Sequence, residues 1–245
     1  MELLIGTVVL RPYVFGFLAA FLIVGARDLG ARRTLVFGAC VWPLAWLAEF
    51  SSTRIGVPFG LYHYTEATRG QELYLANVPF MDSLSFTFLA YAAFCLARAA
   101  LGGRRISRPA LALFAGALMM ALDVVIDPLA VRGDRWFLGR IFYYPDGGVY
   151  FGVPLSNFVG WVVVGACGVG SYLAVVGDTS GREARGGVAL YYAVAVFNLV
   201  VTMWIGEWLL AAVGLALHVA LALSLRALNQ SVEVAVGFGR GAESL

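Results

Sequence analysis

Five acidic side chains sit inside or at the edge of strongly apolar stretches: Glu49, Asp82, Asp123, Asp127 and Glu207. A carboxylate at membrane depth costs several kcal/mol unless it is paired, hydrated or protonated, so each is a functional-site candidate by default. Asp123 and Asp127, in Leu122-Asp-Val-Val-Ile-Asp-Pro128, present themselves on one helical face, about 40° around and about 6 Å along the axis. Like charges that close do not both ionise cheaply in a low dielectric, so the pair offers a carboxyl that keeps its proton beside one that gives it up. The bland reading is that Asp127-Pro128 ends the helix while Asp123 pairs with an arginine such as Arg54.

Three further constellations surround this pair. The run Glu49-Phe-Ser-Ser-Thr-Arg54-Ile-Gly-Val-Pro-Phe-Gly-Leu-Tyr62-His63-Tyr64 places an acid, an arginine, a histidine and two tyrosines around a Gly/Pro-shaped loop able to hold polar groups over a cavity. It is also consistent with a Glu49–Arg54 ion pair and two interfacial tyrosines. Val78-Pro-Phe-Met-Asp82 puts a carboxylate in a first helical turn, where the positive dipole end favours it with or without catalysis. In Phe151-Gly-Val-Pro-Leu-Ser156-Asn157-Phe158-Val-Gly-Trp161, Ser156 or Asn157 is placed to cap a helix, and Asn157 and Trp161 share a face at i, i+4. Glu207, between Trp204 and Trp208, is a site candidate or a solvated turn residue.

Composition bounds the setting. Of 245 residues 61% are hydrophobic and only 13% charged, against roughly 25% charged in a soluble domain. The chain reads as all-α, a polytopic bundle of about seven membrane helices, with one membrane domain over 1–228 and a polar tail over 229–245. Runs near the roughly 20 residues a bilayer requires fall at 12–26, 34–50, 79–101, 109–130, 154–177, 187–205 and 207–227, the last two divided by a turn at Gly206-Glu207. Arg11 in mid-segment and the lack of a basic leader argue against a removable signal peptide. All 17 basic residues are arginines, scattered singly or in pairs, which argues against nucleic acid as a partner. Cys40, Cys95 and Cys167 read as isolated buried small hydrophobes.

Several classes fall on residue types alone. His63 and His218 are the only histidines, too few and too far apart for a metal redox centre; His218 reads as structural, and no metal site is expected. The glycine clusters lack the Gly-Lys-Ser/Thr ending of a P-loop. A retinal Schiff base needs a lysine, and the chain has none.

Counting arginines by side gives eleven against six and places the chain in the cell (cytoplasmic) membrane with its N-terminus outside and its C-terminus in the cytoplasm. Glu49, Asp82, Asp123, Asp127, Asn157, Trp161 and Glu207 then fall on the same, outer side, together with the long segments 51–77 and 132–153. Irregular backbone at that depth must be buried in protein or line a wet cavity, so the outer half is expected to be a lidded pocket.

The four long motifs around Glu49–Tyr64, Asp82, Asp123–Asp127 and Tyr150–Trp161 together resemble, over about residues 45–165, the integral-membrane carotenoid biosynthesis family of carotenoid 1,2-hydratases and bisanhydrobacterioruberin hydratases. The resemblance implies cofactor-independent addition of water to the terminal C1–C2 double bond of an acyclic carotenoid ψ-end, giving a tertiary alcohol. It implies an apolar carotenoid and the lipid bilayer as partners, with room for other carotenoid biosynthesis enzymes.

Chemistry then assigns expected roles. The Asp123/Asp127 pair supplies the acid, Trp161, Tyr62 and Phe158 face the tertiary cation, Asp82 or Glu49 orients water, and Arg54 and Asn157 position these groups; Tyr64, His63 and Glu207 complete the expected binding set. A transporter or proton relay using the same carboxyls, and a non-catalytic carotenoid-binding subunit, are the rival readings.

Overall fold

In the computed structural model, 1–101, 104, 106–177 and 185–242 are described, with side chains to Ala227. Eight helices follow the apolar runs: α1 (Glu2–Leu10), α2 (Pro12–Asp28), α3 (Ala31–Ile55), α4 (Phe80–Leu101), α5 (Arg108–Ala130), α6 (Leu155–Val176), α7 (Arg185–Trp204) and α8 (Trp208–Ala242). Six are long and apolar enough to cross a membrane, or seven if α1 and α2, which meet at 91°, count as one broken span. The chain is thus an all-α, multi-pass membrane protein.

Local chemistry sets the boundaries. Pro12 enters at the first position of α2 and Pro109 near the start of α5, where the missing N–H is harmless, and Ser107 caps α5 by accepting from the Ala110 N–H. Gly56 ends α3 with φ 73°, and Gly206 makes the α7–α8 turn with φ 78°, both in the left-handed region glycine tolerates. The backbone of α8 runs on to Ala242, into the stretch expected as tail, whose side chains lie outside the described residues. The arginine positions Arg105 and Arg182 also lie outside them.

The middle of α4 is apolar all round, as a helix with neighbours on every side must be: Ala90 to Ala97 are all buried. α5 and α6 approach most closely, because Gly116 and Gly165 face each other. A Cβ on Gly165 would lie 2.9 Å from the Gly116 Cα, and one on Gly116 would lie 2.4 Å from the Val162 carbonyl oxygen. Small residues are what permit backbones to pack this tightly in a membrane bundle. At one end of the bundle Phe37, Tyr91, Phe94 and Tyr172 interlock, with Phe37 4.9 Å from Tyr172 and 5.7 Å from Tyr91 between ring centres.

At the other end the two long loops cover the helix tips as one unit. β1 (His63–Tyr64) pairs antiparallel with β4 (Phe142–Tyr143), while β2 (Tyr74–Leu75) pairs with β3 (Val78–Pro79). Thr65 adds bonds from its N–H to Ile141 O and from its hydroxyl to Arg140 O. Of the cysteines only Cys95 is buried; Cys40 is half-buried and Cys167 exposed, so buried packing does not account for all three.

Candidate active site

Beneath this cover lies a cavity of about 130 Å³ with two unlike ends. Its polar end is formed by Glu49 from α3, Asp82 from the first turn of α4, Asp127 from α5, and Asn157 and Trp161 from α6. Tyr62 and Tyr64 reach in from the cover, as does Tyr144. Asp123 sits immediately behind, fully buried. The amide nitrogen of Asn157 donates to Asp123 Oδ2 and Asp127 Oδ2, each at 2.7 Å, and the indole N–H of Trp161 donates to Asp127 Oδ2 at 3.2 Å. The Asp127 backbone N–H donates to Asp123 Oδ1 at 3.2 Å. The two helices are held within reach of this bridge by the glycine seam below it.

Glu49 is wired differently. It is 5% exposed, and its Oε2 has no hydrogen-bond partner. Asp82 and Ser85 are half-buried and face the same space. Burial first, and then the nearby carboxyl of Glu49, push the phenols of Tyr62 and Tyr64 well above the ordinary range, and burial does the same to Tyr144. All three therefore remain protonated donors. Phe86 stacks on Trp161 at 4.6 Å and 23°, with Phe59 completing an aromatic wall beside the carboxyls.

The other end is an apolar arm between α2, α4 and α7, built from Val14, Phe17, Phe88, Leu89, Val194 and Phe197. Tyr13, Phe17 and Phe197 are only half-buried, so the arm approaches the outside of the bundle between α2 and α7. Asn198 is its one polar side chain among those on α7 that line the cavity, and its amide is tied to the Val194 carbonyl at 2.9 Å.

Glu49, Asp82, Asp127, Asn157, Trp161, Tyr62 and Tyr64 thus line one cavity, with Asp123 bonded to it from behind. Four other expected residues do not reach it. Arg54 lies five residues beyond Glu49, about 140° around the helix. It is exposed, caps the Phe50 ring at 3.4 Å and bonds Asn77 Oδ1 at 2.8 Å, so it pairs with neither Glu49 nor Asp123. His63 points outward, because the extended cover alternates sides with period two: Leu61 and His63 are exposed, Tyr62 is buried and Tyr64 half-buried. Phe158, one residue past Asn157, turns about 100° away and packs on Tyr150 at 5.2 Å. Glu207 bonds Arg132 at 3.0 Å and also Arg135, tying the cover to the α7–α8 turn. Neither Ser156 nor Asn157 caps α6: the N-cap is Pro154 without a side-chain bond, and Asn157 is spent on the aspartates. His218 is buried, with Nδ1 2.9 Å from the Gly214 carbonyl oxygen.

Sequence reading missed Ser85 and Phe86, three and four residues beyond Asp82 and so on its face, and Tyr144, which the strand alternation turns inward. It also missed Arg11 and Glu72. Arg11 is 1% exposed and donates to Glu72 Oε1 at 3.1 Å and to the Leu138 carbonyl at 2.7 Å, stitching the α1–α2 break to both halves of the cover. An arginine isolated between two apolar runs was the available signal. Among the described residues no group of three or more His, Cys, Asp or Glu side chains is arranged to hold a metal ion.

Fold and cavity define a multi-pass membrane protein with a cavity between its helices, acidic at one end and apolar at the other. The family model for the carotenoid biosynthesis protein matches residues 3–223, and the chain belongs to that family. It is 30% identical over 151 residues to a bisanhydrobacterioruberin hydratase of Haloarcula japonica, a match covering 60% of this chain and 47% of that protein, so the chain spans about half of the relative's length. No solved structure matches.

Proposed function

We propose that this protein adds water across the terminal C1–C2 double bond of an acyclic carotenoid ψ-end, without a cofactor, to give a tertiary alcohol. The observation that carries the reading is that three carboxyls, Glu49, Asp82 and Asp127, open into one cavity and, among the described residues, none of them forms an ion pair with an arginine, while the cavity's other arm is apolar and aromatic. An ionic ligand would call for cationic partners; a hydrocarbon calls for acid at one end and an apolar sleeve behind it. Hydration of a trisubstituted alkene needs a proton delivered to C2, a surface that tolerates the cation at C1, and a water held by a base. The cavity carboxyls supply the first and third, and the wall of Phe59, Phe86 and Trp161 supplies the second.

The substrate would enter from the bilayer through the α2–α7 side, needing no aqueous route. We place the acidic end on the outer side of the cell membrane, with the C-terminus in the cytoplasm, on the strength of the arginine excess at the opposite end. The name of the Haloarcula japonica relative supports hydration as the reaction class.

Expression in cells that accumulate lycopene, with pigments resolved by chromatography and mass, tests the reading. Wild type should yield a pigment heavier by one water, lost in folded Asp123→Asn and Asp127→Asn variants. An unchanged pigment profile from well-folded wild type would sink the hydratase reading in favour of carotenoid binding or transport.

A further inference from the structure

We propose that the two proton transfers of this hydration belong to different carboxyls: Glu49 delivers the proton to C2, and Asp127, held by Asn157 and Trp161, receives the proton of the water that attacks C1. The division rests on the hydratase reading above and deepens it.

Hydrogen-bond donors decide the assignment. Asp127 Oδ2 accepts two N–H bonds, from Asn157 and Trp161, and Asp123 accepts two more, from Asn157 and the Asp127 backbone. Donors converging on carboxyl oxygens stabilise the anionic form, which can accept a proton from water. Glu49 is the opposite case. One phenol, Tyr64, bears on its carboxyl, but its Oε2 is buried without a partner, no N–H group reaches it, and among the described residues the nearby arginines are engaged elsewhere: Arg54 faces Asn77, and Arg11 faces Glu72. A buried charge with one oxygen unmatched and a single phenol beside it is expensive, so Glu49 is the carboxyl best suited to carry the proton. This reverses the expectation that the aspartate pair is the acid. Asp123 does not line the cavity; it fixes the second N–H of Asn157 and is a positioning residue.

The step balances without a redox change. The C1–C2 π pair takes the Glu49 proton and forms the new C2–H bond, leaving the cation at C1 beside the Phe86–Trp161 stack. The oxygen of water forms the C1–O bond and gives a proton to Asp127. Return of that proton to Glu49 through cavity water, with Tyr62 and Tyr64 as neighbouring hydroxyls, restores both carboxyls.

The test uses the full-length protein, lycopene as the acyclic probe, and D₂O. Wild type should give alcohol carrying deuterium at C2. Asp127→Asn should form alcohol about a hundredfold or more slowly, while recovered lycopene gains deuterium at C2, because the longer-lived cation rotates at C2 and returns its original hydrogen, instead of the deuteron just received, to Glu49. Glu49→Gln should give neither alcohol nor exchange, and Glu49→Asp should restore part of both. Thermal unfolding and co-purifying pigment establish that each variant is folded and occupied. Alcohol or exchange in folded Glu49→Gln, or unimpaired alcohol formation in Asp127→Asn, overturns the division of roles. A folded wild type that yields no alcohol overturns the hydratase reading instead.

Discussion

The acids of the cavity and the acids of its surroundings are built on different plans. Outside the cavity every buried or half-buried acid among the described residues has a committed partner: Glu72 holds Arg11 through Oε1, Glu207 holds Arg132 and Arg135, and at the far end Asp28 accepts from the Tyr91 hydroxyl at 2.7 Å and the Gly187 N–H at 3.3 Å. Inside the cavity Glu49 has no arginine among the described residues, and Asp127 is met only by neutral donors. Paired acids are clamps, since separating them strands a buried charge. Unpaired acids gathered in one place contribute little to folding, which is why we propose a chemical role for them. The two sets also cooperate, because the clamps hold the cover whose inner face supplies Tyr62, Tyr64 and Tyr144.

Removing an acid from each plan should have opposite signatures. Asp127→Asn, in the cavity, should lower product formation by about 10²- to 10⁴-fold with little change in thermal unfolding; a normal rate would erase the distinction. Arg11→Met, in a clamp, should destabilise the protein by about 3–5 kcal/mol by leaving Glu72 buried and alone. Arg11→Met combined with Glu72→Leu should recover most of that loss in detergent unfolding, and failure to recover would mean that Arg11 acts chiefly through Leu138. Gly165→Ala forces a Cβ to within 2.9 Å of the Gly116 Cα and 3.0 Å of Met119 Sδ. It should cost about 1–3 kcal/mol by overpacking and also slow turnover, because parting α5 from α6 breaks the Asn157 bridge. Unaltered activity would show that the bridge adapts.

The smallest effect is expected at Glu207. Its partners are partly open to solvent, with Arg135 46% and Arg132 22% exposed, so the clamp should be worth no more than about 1 kcal/mol. Burial alone would raise its carboxyl, but Arg132 and Arg135 outweigh it and hold the group below its ordinary value of 4.5. A depressed folded-state value means that the stabilisation is present above pH 4.5 and is lost as the pH falls through the folded value. Glu207→Gln should therefore lower the melting temperature slightly at neutral pH and flatten its acid decline; an unchanged decline would assign it to other carboxyls.

The helical plan was legible because hydrophobic runs of bilayer length leave few alternatives in lipid, and the Asp123–Asp127 and Asn157–Trp161 faces because helical spacing is a fixed geometry. The same spacing held the information that Arg54 stands away from Glu49 and that Ser85 and Phe86 stand with Asp82. His63 was misplaced because a Gly/Pro-rich run does not announce that it is extended, and only β1–β4 pairing establishes its two-residue period. Arg11 and Glu72, 61 residues apart, meet through the closing of the cover, a long-range event without a local signal.

What the sequence by itself determined is the membrane setting, the helices and which chemical groups lie at one end of them, since these follow from local hydrophobicity and from periodicities set by backbone geometry. Only the tertiary structure decided which acids are neutralised and which stand bare, because pairing depends on where distant segments bring their arginines. Here they bring them to Glu72 and Glu207, and leave Glu49 and Asp127 to the cavity.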